Sequence, residues 1–211
     1  YKPTGSTSFA VVKKIREITN EKVGHSGTLD PFAEGVLVLG TGKDTKKLTK
    51  ITNDDKSYLA TIQLGATTDT LDIESKIIKK KEIPILNKNV IENVLKSFLG
   101  ESAQTPPMYS AKKINGKKLY DLARKNISVK RTPTNITIKN IELLEFKCPF
   151  IRFSVTCTKG TYIRVLGNDI AEKLGTVGYL VRLIRIRVGE HLIQDSKTIE
   201  NFRDSWKSFE Y

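Results

Sequence analysis

The chain has 211 residues, enough for one large or two small domains around a sizeable apolar core. With 38% hydrophobic and 28% charged residues it falls in the globular range, which excludes collagen-like, mucin-like and wholly disordered chains. A formal net charge of +13 attracts polyanions such as RNA, DNA or an anionic membrane surface. No apolar run approaches the roughly 20 residues that span a bilayer, and no secretory leader pattern opens the chain, so a soluble, cytoplasmic protein is expected. In chain order, Ser6-Thr7-Ser8 offers N-caps to a helix over 9–19, whose Val11, Val12, Ile15 and Ile18 recur at helical spacing. A Gly-rich polar loop over 20–35 feeds Val36-Leu37-Val38-Leu39, an apolar run short enough for a buried strand, and a short helix is expected over 44–51. Residues 58–64 alternate as a strand does; 87–98 read as an amphipathic helix ended by Gly100, and 117–125 as a shorter one, with a Pro-punctuated extended segment between them. Residues 134–146 and 150–158 form an expected hairpin about Cys148-Pro149, followed by a helix over 161–174, a strand over 181–188 and a short helix near 198–202. Hairpins mixed with single helices indicate an α+β fold with a mixed, largely antiparallel sheet. Without a linker between halves, one domain over 1–211 is expected, its lobe or insertion boundary at the charged stretch 76–82.

Several chemistries lack their parts. Leu39-Gly40-Thr41-Gly42-Lys43-Asp44-Thr45 looks like a phosphate cradle, but a Walker loop needs glycine where Leu37 stands, and a dinucleotide fingerprint needs it where Thr45 stands. There is no HExxH helix, GxSxG elbow or Cys/His cluster. Cys148 and Cys157 make neither a disulfide framework nor a zinc site, and both are expected to be reduced, buried fillers. Three polar patches remain. In Val23-Gly24-His25-Ser26-Gly27-Thr28-Leu29-Asp30-Pro31, two glycines permit sharp turns and Pro31 biases Asp30 toward an extended conformation. That placement suits an Asx-turn or helix cap as well as a displayed carboxylate. Thr67-Thr68-Asp69-Thr70-Leu71-Asp72 sets two carboxylates close together, as in a capping turn or half of a metal site. Cys157-Thr158-Lys159-Gly160-Thr161-Tyr162-Ile163-Arg164 leads a strand through Gly160 into a helix; a lone arginine there is ordinarily a surface ion pair.

Together and in this order, the patches resemble the TruB family of tRNA pseudouridine synthases, the pseudouridine-55 synthases. The likeness runs through Lys2-Pro3-Thr4-Gly5-Ser6-Thr7-Ser8, the segment from Gly24 to Pro31, Gly42 through Lys46, Lys56-Ser57-Tyr58 and Thr68-Asp69-Thr70-Leu71-Asp72. It continues through Pro106-Pro107-Met108-Tyr109-Ser110-Ala111, Gly116-Lys117-Lys118-Leu119-Tyr120 and Lys159 to Arg164, and so covers nearly the whole chain. It implies a pseudouridine-synthase fold, with helices flanking a central mixed sheet. The implied reaction isomerises a specific uridine of the tRNA T-loop, position 55, to pseudouridine by base flipping and aspartate-dependent glycosidic bond cleavage and re-formation. No cofactor and no metal is required for that isomerisation. The implied partner is the T-arm of tRNA, with no membrane, no obligate protein partner and a monomeric enzyme.

The resemblance also assigns roles. Asp30 becomes the catalytic carboxylate, acting as a nucleophile on ribose or uracil or as a base at the sugar. Arg164 becomes the arginine paired with it, and Tyr58 the tyrosine stacked on the target base. Leu183 corresponds to a pocket-wall leucine, and His25 to a residue filling the space left by flipped nucleotides. Lys2, Lys46 and Lys159 are candidates for shaping the site or touching phosphates, and Tyr162 joins the substrate-binding candidates. Lys117 and Lys118, expected on a helix with Arg124 and Lys125 and near Lys112, Lys113, Tyr109 and Tyr120, make a basic and aromatic stretch suited to phosphates and loop bases. The chain departs from the family pattern at Leu183-Ile184-Arg185, where relatives carry Leu-Arg-Arg, and at Tyr179, which replaces a histidine. A separate C-terminal RNA-binding PUA domain is not expected. Two alternatives stand beside this reading: a metal-dependent RNA-processing enzyme using Asp30, Asp69 and Asp72, and a non-catalytic tRNA-binding or folding module. If phosphate contacts dominate binding, tRNA affinity measured by filter binding falls steeply between about 50 and 200 mM salt; a flat response would count against that source of affinity.

Overall fold

A computed structural model describes residues 1–114, 116–125 and 127–207, apart from the side chains of Lys118 and Lys207. The chain divides into two units, Tyr1–Tyr58 with Leu183–Tyr211, and Leu59–Arg182; it crosses from one to the other within the strands Lys56–Leu64 and Gly178–Val188. The charged stretch 76–82 lies inside the second unit, where the exposed strand Ile77–Lys80 pairs antiparallel with Ala66–Thr68.

In the first unit the helix Ser8–Thr19 starts as its sequence predicts, Thr7 accepting from the Ala10 N–H, and it ends at Asn20 in the left-handed conformation. Its apolar face, Val11, Val12 and Ile15, packs with Val23, Leu37 and Ile199, and Ile18, Leu39 and Phe202 close around this core. Ile199 and Phe202 come from the last helix, Ile199–Lys207. The apolar run 36–39 is not the strand expected of it: only Leu39 enters one, Leu39–Thr41, which pairs antiparallel with Val23–His25. The cause lies next door. Glu34–Gly35 pairs in parallel with Ile184 and Arg185, Gly35 turns at φ +111°, and both the Val36 N–H and its carbonyl are taken by Arg185. Similarly, the helix expected over 44–51 is a 3-10 turn, Gly42–Lys46, followed by Leu48–Asn53.

The second unit is built on a sheet whose strands run in the order 178–182, 59–64, Phe150–Cys157, Thr134–Lys147 and Gly100–Gln104. Thr134–Lys147 and Phe150–Cys157 make the expected antiparallel hairpin, and Gly100–Gln104 adds antiparallel to its other edge. Cys157 is buried as expected, but Cys148, at the hairpin turn, is exposed. Helix Ile163–Lys173 buries Ile163, Leu166, Ile170 and Ala171. It comes so close to the sheet that a Cβ on Gly167 would sit 2.9 Å from Leu180 Cδ2, and one on Gly178 only 2.6 Å from the Ala171 Cβ. Helix Lys88–Lys96, capped by the Asn87 side chain, buries Ile91 and Leu95. The helix expected over 117–125 shrinks to Leu119–Ala123, because Lys117–Lys118 instead pairs with Lys113–Ile114 across a turn containing Gly116. Helices combined with a largely antiparallel sheet, with parallel pairing at 34–35, give the predicted α+β fold. No helix among the described residues is long and apolar enough to cross a membrane.

Two measurements probe this packing. A Cβ on Gly35 would lie 2.3 Å from the Arg185 carbonyl oxygen, at a φ that side chains disfavour, so Gly35→Ala is expected to lose about 2–3 kcal/mol in urea unfolding. An unchanged midpoint would contradict that close approach. On helix Ile163–Lys173, burial and then repulsion from Glu172 push the Asp169 carboxyl up to about 6, against a smaller opposing hydrogen bond from Asn168. The folded state therefore holds this proton more tightly than the unfolded chain, whose carboxyl titrates near 4. The advantage is fully present below pH ~4 and is lost as pH rises through about 6. Asp169→Asn should raise Tm at pH 7.5 and leave it nearly unchanged at pH 4; equal shifts at both would refute the assignment.

Candidate active site

The loop that carries Asp30 is tied down by the residues at the start of the chain. Ser8 Oγ donates to the Leu29 carbonyl at 3.0 Å and accepts from the Leu29 N–H at 2.8 Å. The Gly5 N–H donates to the Pro31 carbonyl at 2.8 Å, and Thr4 Oγ1 to the Phe32 carbonyl at 2.9 Å. Lys2, with no exposed surface, donates from Nζ to the carbonyls of Pro3, Ser6 and Pro31 at 2.9, 2.6 and 3.3 Å. A buried ammonium must have such acceptors, and these tie the start of the chain to Pro31, next to Asp30. The Ala33 N–H closes a turn onto the Asp30 carbonyl at 3.1 Å, and the residue itself is half-buried. Lys2 thus presents no surface to solvent and holds loop backbone.

Upstream in the same loop, His25 ends the strand Val23–His25 and its Nδ1 accepts from the Gly27 N–H at 3.2 Å. Burial, and then the positive charge of Arg185, push its pKa below the usual imidazole value, outweighing the Gly27 hydrogen bond; the ring is neutral at pH 7. Arg185 is itself 2% exposed, donating from Nε to the Val36 carbonyl at 2.7 Å and from Nη2 to the Gly27 carbonyl at 3.1 Å. Arg185 thus holds this loop at residues 27 and 36.

In the second unit Arg164 is not the surface residue that its motif alone would suggest. It lies on the first turn of helix Ile163–Lys173 and is 3% exposed. Its Nε lies 3.5 Å from Asp72 Oδ2, its Nη1 donates to the Thr70 carbonyl at 2.6 Å, and its Nη2 donates to the Tyr109 carbonyl at 2.8 Å. Asp72, 1% exposed, also accepts from Thr70 Oγ1 at 2.5 Å and from the Glu74 N–H at 2.9 Å. Its oxygens are thereby occupied by a guanidinium, a hydroxyl and an amide, the arrangement of a turn, while Asp69 is exposed. Leu71 sits between them at φ +60°, a left-handed conformation that a leucine keeps only when its surroundings fix it. Here the Thr68 Oγ1 bond to the Asp72 carbonyl and the Leu180 N–H bond to the Leu71 carbonyl do so.

The remaining candidates divide by exposure. Tyr58 and Leu183 are buried, on strands Lys56–Leu64 and Gly178–Val188. Tyr162, half-buried, is the residue before helix Ile163–Lys173, and the side-chain amide of Gln104 binds both its N–H and its carbonyl. Lys46, Lys159 and Lys117 are exposed; Lys117 and Lys118 lie on a short strand, and the side chain of Lys118 is outside those described. Motif reading missed Gln104, and it read Asp72 only as a turn or metal-site residue. The available signals were a polar residue closing a strand before Pro106-Pro107, and a carboxylate two residues after Thr70.

The sequence model of the TruB family pseudouridylate synthases, N-terminal domain, matches residues 13–163. A protein of Clostridium kluyveri named tRNA pseudouridine synthase B is 46% identical over 211 residues, covering all of this chain and 72% of the relative. One of the same name from Phocaeicola vulgatus is 44% identical over 208 residues, covering 95% of this chain and 88% of the relative. Among solved structures, a chain of a Cbf5-Nop10-Gar1 complex superposes over 100% of this chain with a TM-score of 0.75 and 29% identity. The present chain spans 55% of that one, and 53% of the matching chain in an archaeal box H/ACA Nop10-Cbf5 complex. From the extent of the family match and the identity held over nearly its whole length, the chain belongs to the TruB family of pseudouridylate synthases.

Proposed function

We propose that this chain isomerises a specific uridine of the tRNA T-loop, position 55, to pseudouridine, and that it does so in the cytoplasm as a monomer without an obligate protein partner. Family membership supports the reaction, and the name shared by the relatives supports tRNA as the RNA. The observation that carries the reading is the anchoring of residues 29–32 by Ser8, Gly5, Thr4 and Lys2, which holds the backbone of one carboxylate from both sides. Catalytic groups need that kind of fixed placement.

Isomerisation breaks the N1–C1′ bond, turns the uracil and joins C1′ to C5. The C5 proton leaves and N1 gains one, so no oxidant, water or group enters the product. Asp30 supplies the carboxylate for bond cleavage, as nucleophile or as base. Tyr58 stacks on the target base, Leu183 excludes water from it, and Arg164 is the cation acting in the same chemistry. Flipping the uridine out costs a few kcal/mol of stacking. Phosphate contacts from Lys46, Lys117, Lys118 and Lys159 offset that cost. A neutral His25 ring suits stacking against bases left in the loop, and Lys2 contributes by shaping it.

The test is an unmodified tRNA transcript incubated in EDTA. The wild-type chain is expected to form pseudouridine with strands intact, whereas Asp30→Asn should bind tRNA nearly normally and convert it at least about 1,000-fold more slowly. Undiminished conversion by the variant removes Asp30 from the chemistry, and metal-dependent strand scission overturns the isomerase reading.

A further inference from the structure

We propose that Gln104 is a positioning residue for this reaction: its side-chain amide, bound to both backbone groups of Tyr162, holds the helix start from which Arg164 is presented. The inference rests on the functional reading above. Gln104 ends strand Gly100–Gln104 and is the one buried residue in it. A buried amide must find partners for its donor and its acceptor. Nε2 donates to the Tyr162 carbonyl at 3.1 Å and Oε1 accepts from the Tyr162 N–H at 2.7 Å, across 58 residues of sequence. The side chain thus pairs with Tyr162 as a neighbouring strand would.

Tyr162 needs that support. It is the N-cap of helix Ile163–Lys173 and its side chain makes no capping bond. Its carbonyl also accepts from the Leu166 N–H at 3.1 Å, so the amide of Gln104 and the first helical hydrogen bond meet on one oxygen. Two residues further, Arg164 holds the carbonyls of Thr70 and Tyr109 and the Asp72 carboxylate. The second of these acceptors lies on the segment that follows Gln104. Its own backbone is locked in register with Thr134, and Thr105-Pro106-Pro107-Met108, which follows it, delivers the Tyr109 carbonyl. The side chain therefore sets the guanidinium's point of departure, while the backbone of the same residue starts the segment that carries one of its docking points. An apolar residue would fill the volume without fixing that point of departure, and a displacement of about 1 Å at a reacting group can cost up to about 100-fold in rate.

The test is single-turnover and steady-state kinetics on tRNA, beside tRNA binding and Tm, for wild type, Gln104→Met and Gln104→Glu. Gln104→Met keeps the volume and loses both bonds; kcat should fall about 10- to 100-fold with tRNA affinity within about twofold. The carboxyl in Gln104→Glu, when protonated, still donates to the Tyr162 carbonyl and accepts from its N–H; ionised, it repels the carbonyl. Its rate relative to wild type should therefore fall as pH rises from about 6 to 9, the range into which burial lifts such a carboxyl. A Gln104→Met enzyme with wild-type kcat, or a loss confined to KM, overturns the proposal, as does a Gln104→Glu ratio that does not change with pH. If Gln104→Met does not fold, the Gln104→Glu profile decides alone. Wild-type turnover in the same assay reports separately on the function, since a chain forming no pseudouridine fails there and not at Gln104.

Discussion

A cation taken out of water must find acceptors for its N–H groups, or the fold carries the full cost of desolvation. Among the described residues, Lys2, Lys56, Arg164 and Arg185 are buried, and all four donate hydrogen bonds to main-chain carbonyls. Lys56 binds the carbonyls of Thr52 and Asp54 beside helix Leu48–Asn53; Lys2 binds those of residues 3, 6 and 31; Arg185 those of 27 and 36; Arg164 those of 70 and 109. These carbonyls lie mostly in irregular backbone that no helix or sheet would otherwise satisfy. Removing any one of these cations would leave two or three carbonyls without these donors, at up to about 1–3 kcal/mol for each that is buried. That constraint fixes the loops that carry these carbonyls.

The positive charge of the chain is accordingly divided between two tasks. Buried cations shape loops and are unavailable to a polyanion. The exposed ones, Lys46, Lys117 and Lys159 among them, face solvent, where their field is screened by salt. Arg185 shows how the first task conditions the neighbouring chemistry. Its charge, added to burial, keeps His25 neutral, so a histidine in a strongly basic protein is a ring rather than a further cation.

Where the determinants were local, the elements were legible before the structure. Thr7 and the spacing of Val11, Val12 and Ile15 specify helix Ser8–Thr19; alternation about Cys148-Pro149 specifies the long hairpin. Asn87 marks its helix through a bond to the Val90 N–H three residues on. Reading failed where a distant group intervened. Residues 36–39 have the composition of a strand, yet Arg185, 149 positions from Val36, takes the hydrogen bonds a strand would have needed. Lys117 and Lys118 have helical neighbours, yet a turn at Gly116 pairs them with 113–114.

The candidate site divides in the same way. Sequence alone determined the family, the α+β class and the identity of Asp30, Tyr58 and Arg164 as candidates, because residue type and order along the chain carry that information. Only the tertiary structure decided that Arg164 is buried against Asp72, that Lys2 supports a loop and is not a surface cation, and that Gln104 meets Tyr162. The reason is physical: burial and hydrogen-bond partnership are relations between segments far apart in sequence, and no local propensity encodes which carbonyl a buried donor will reach.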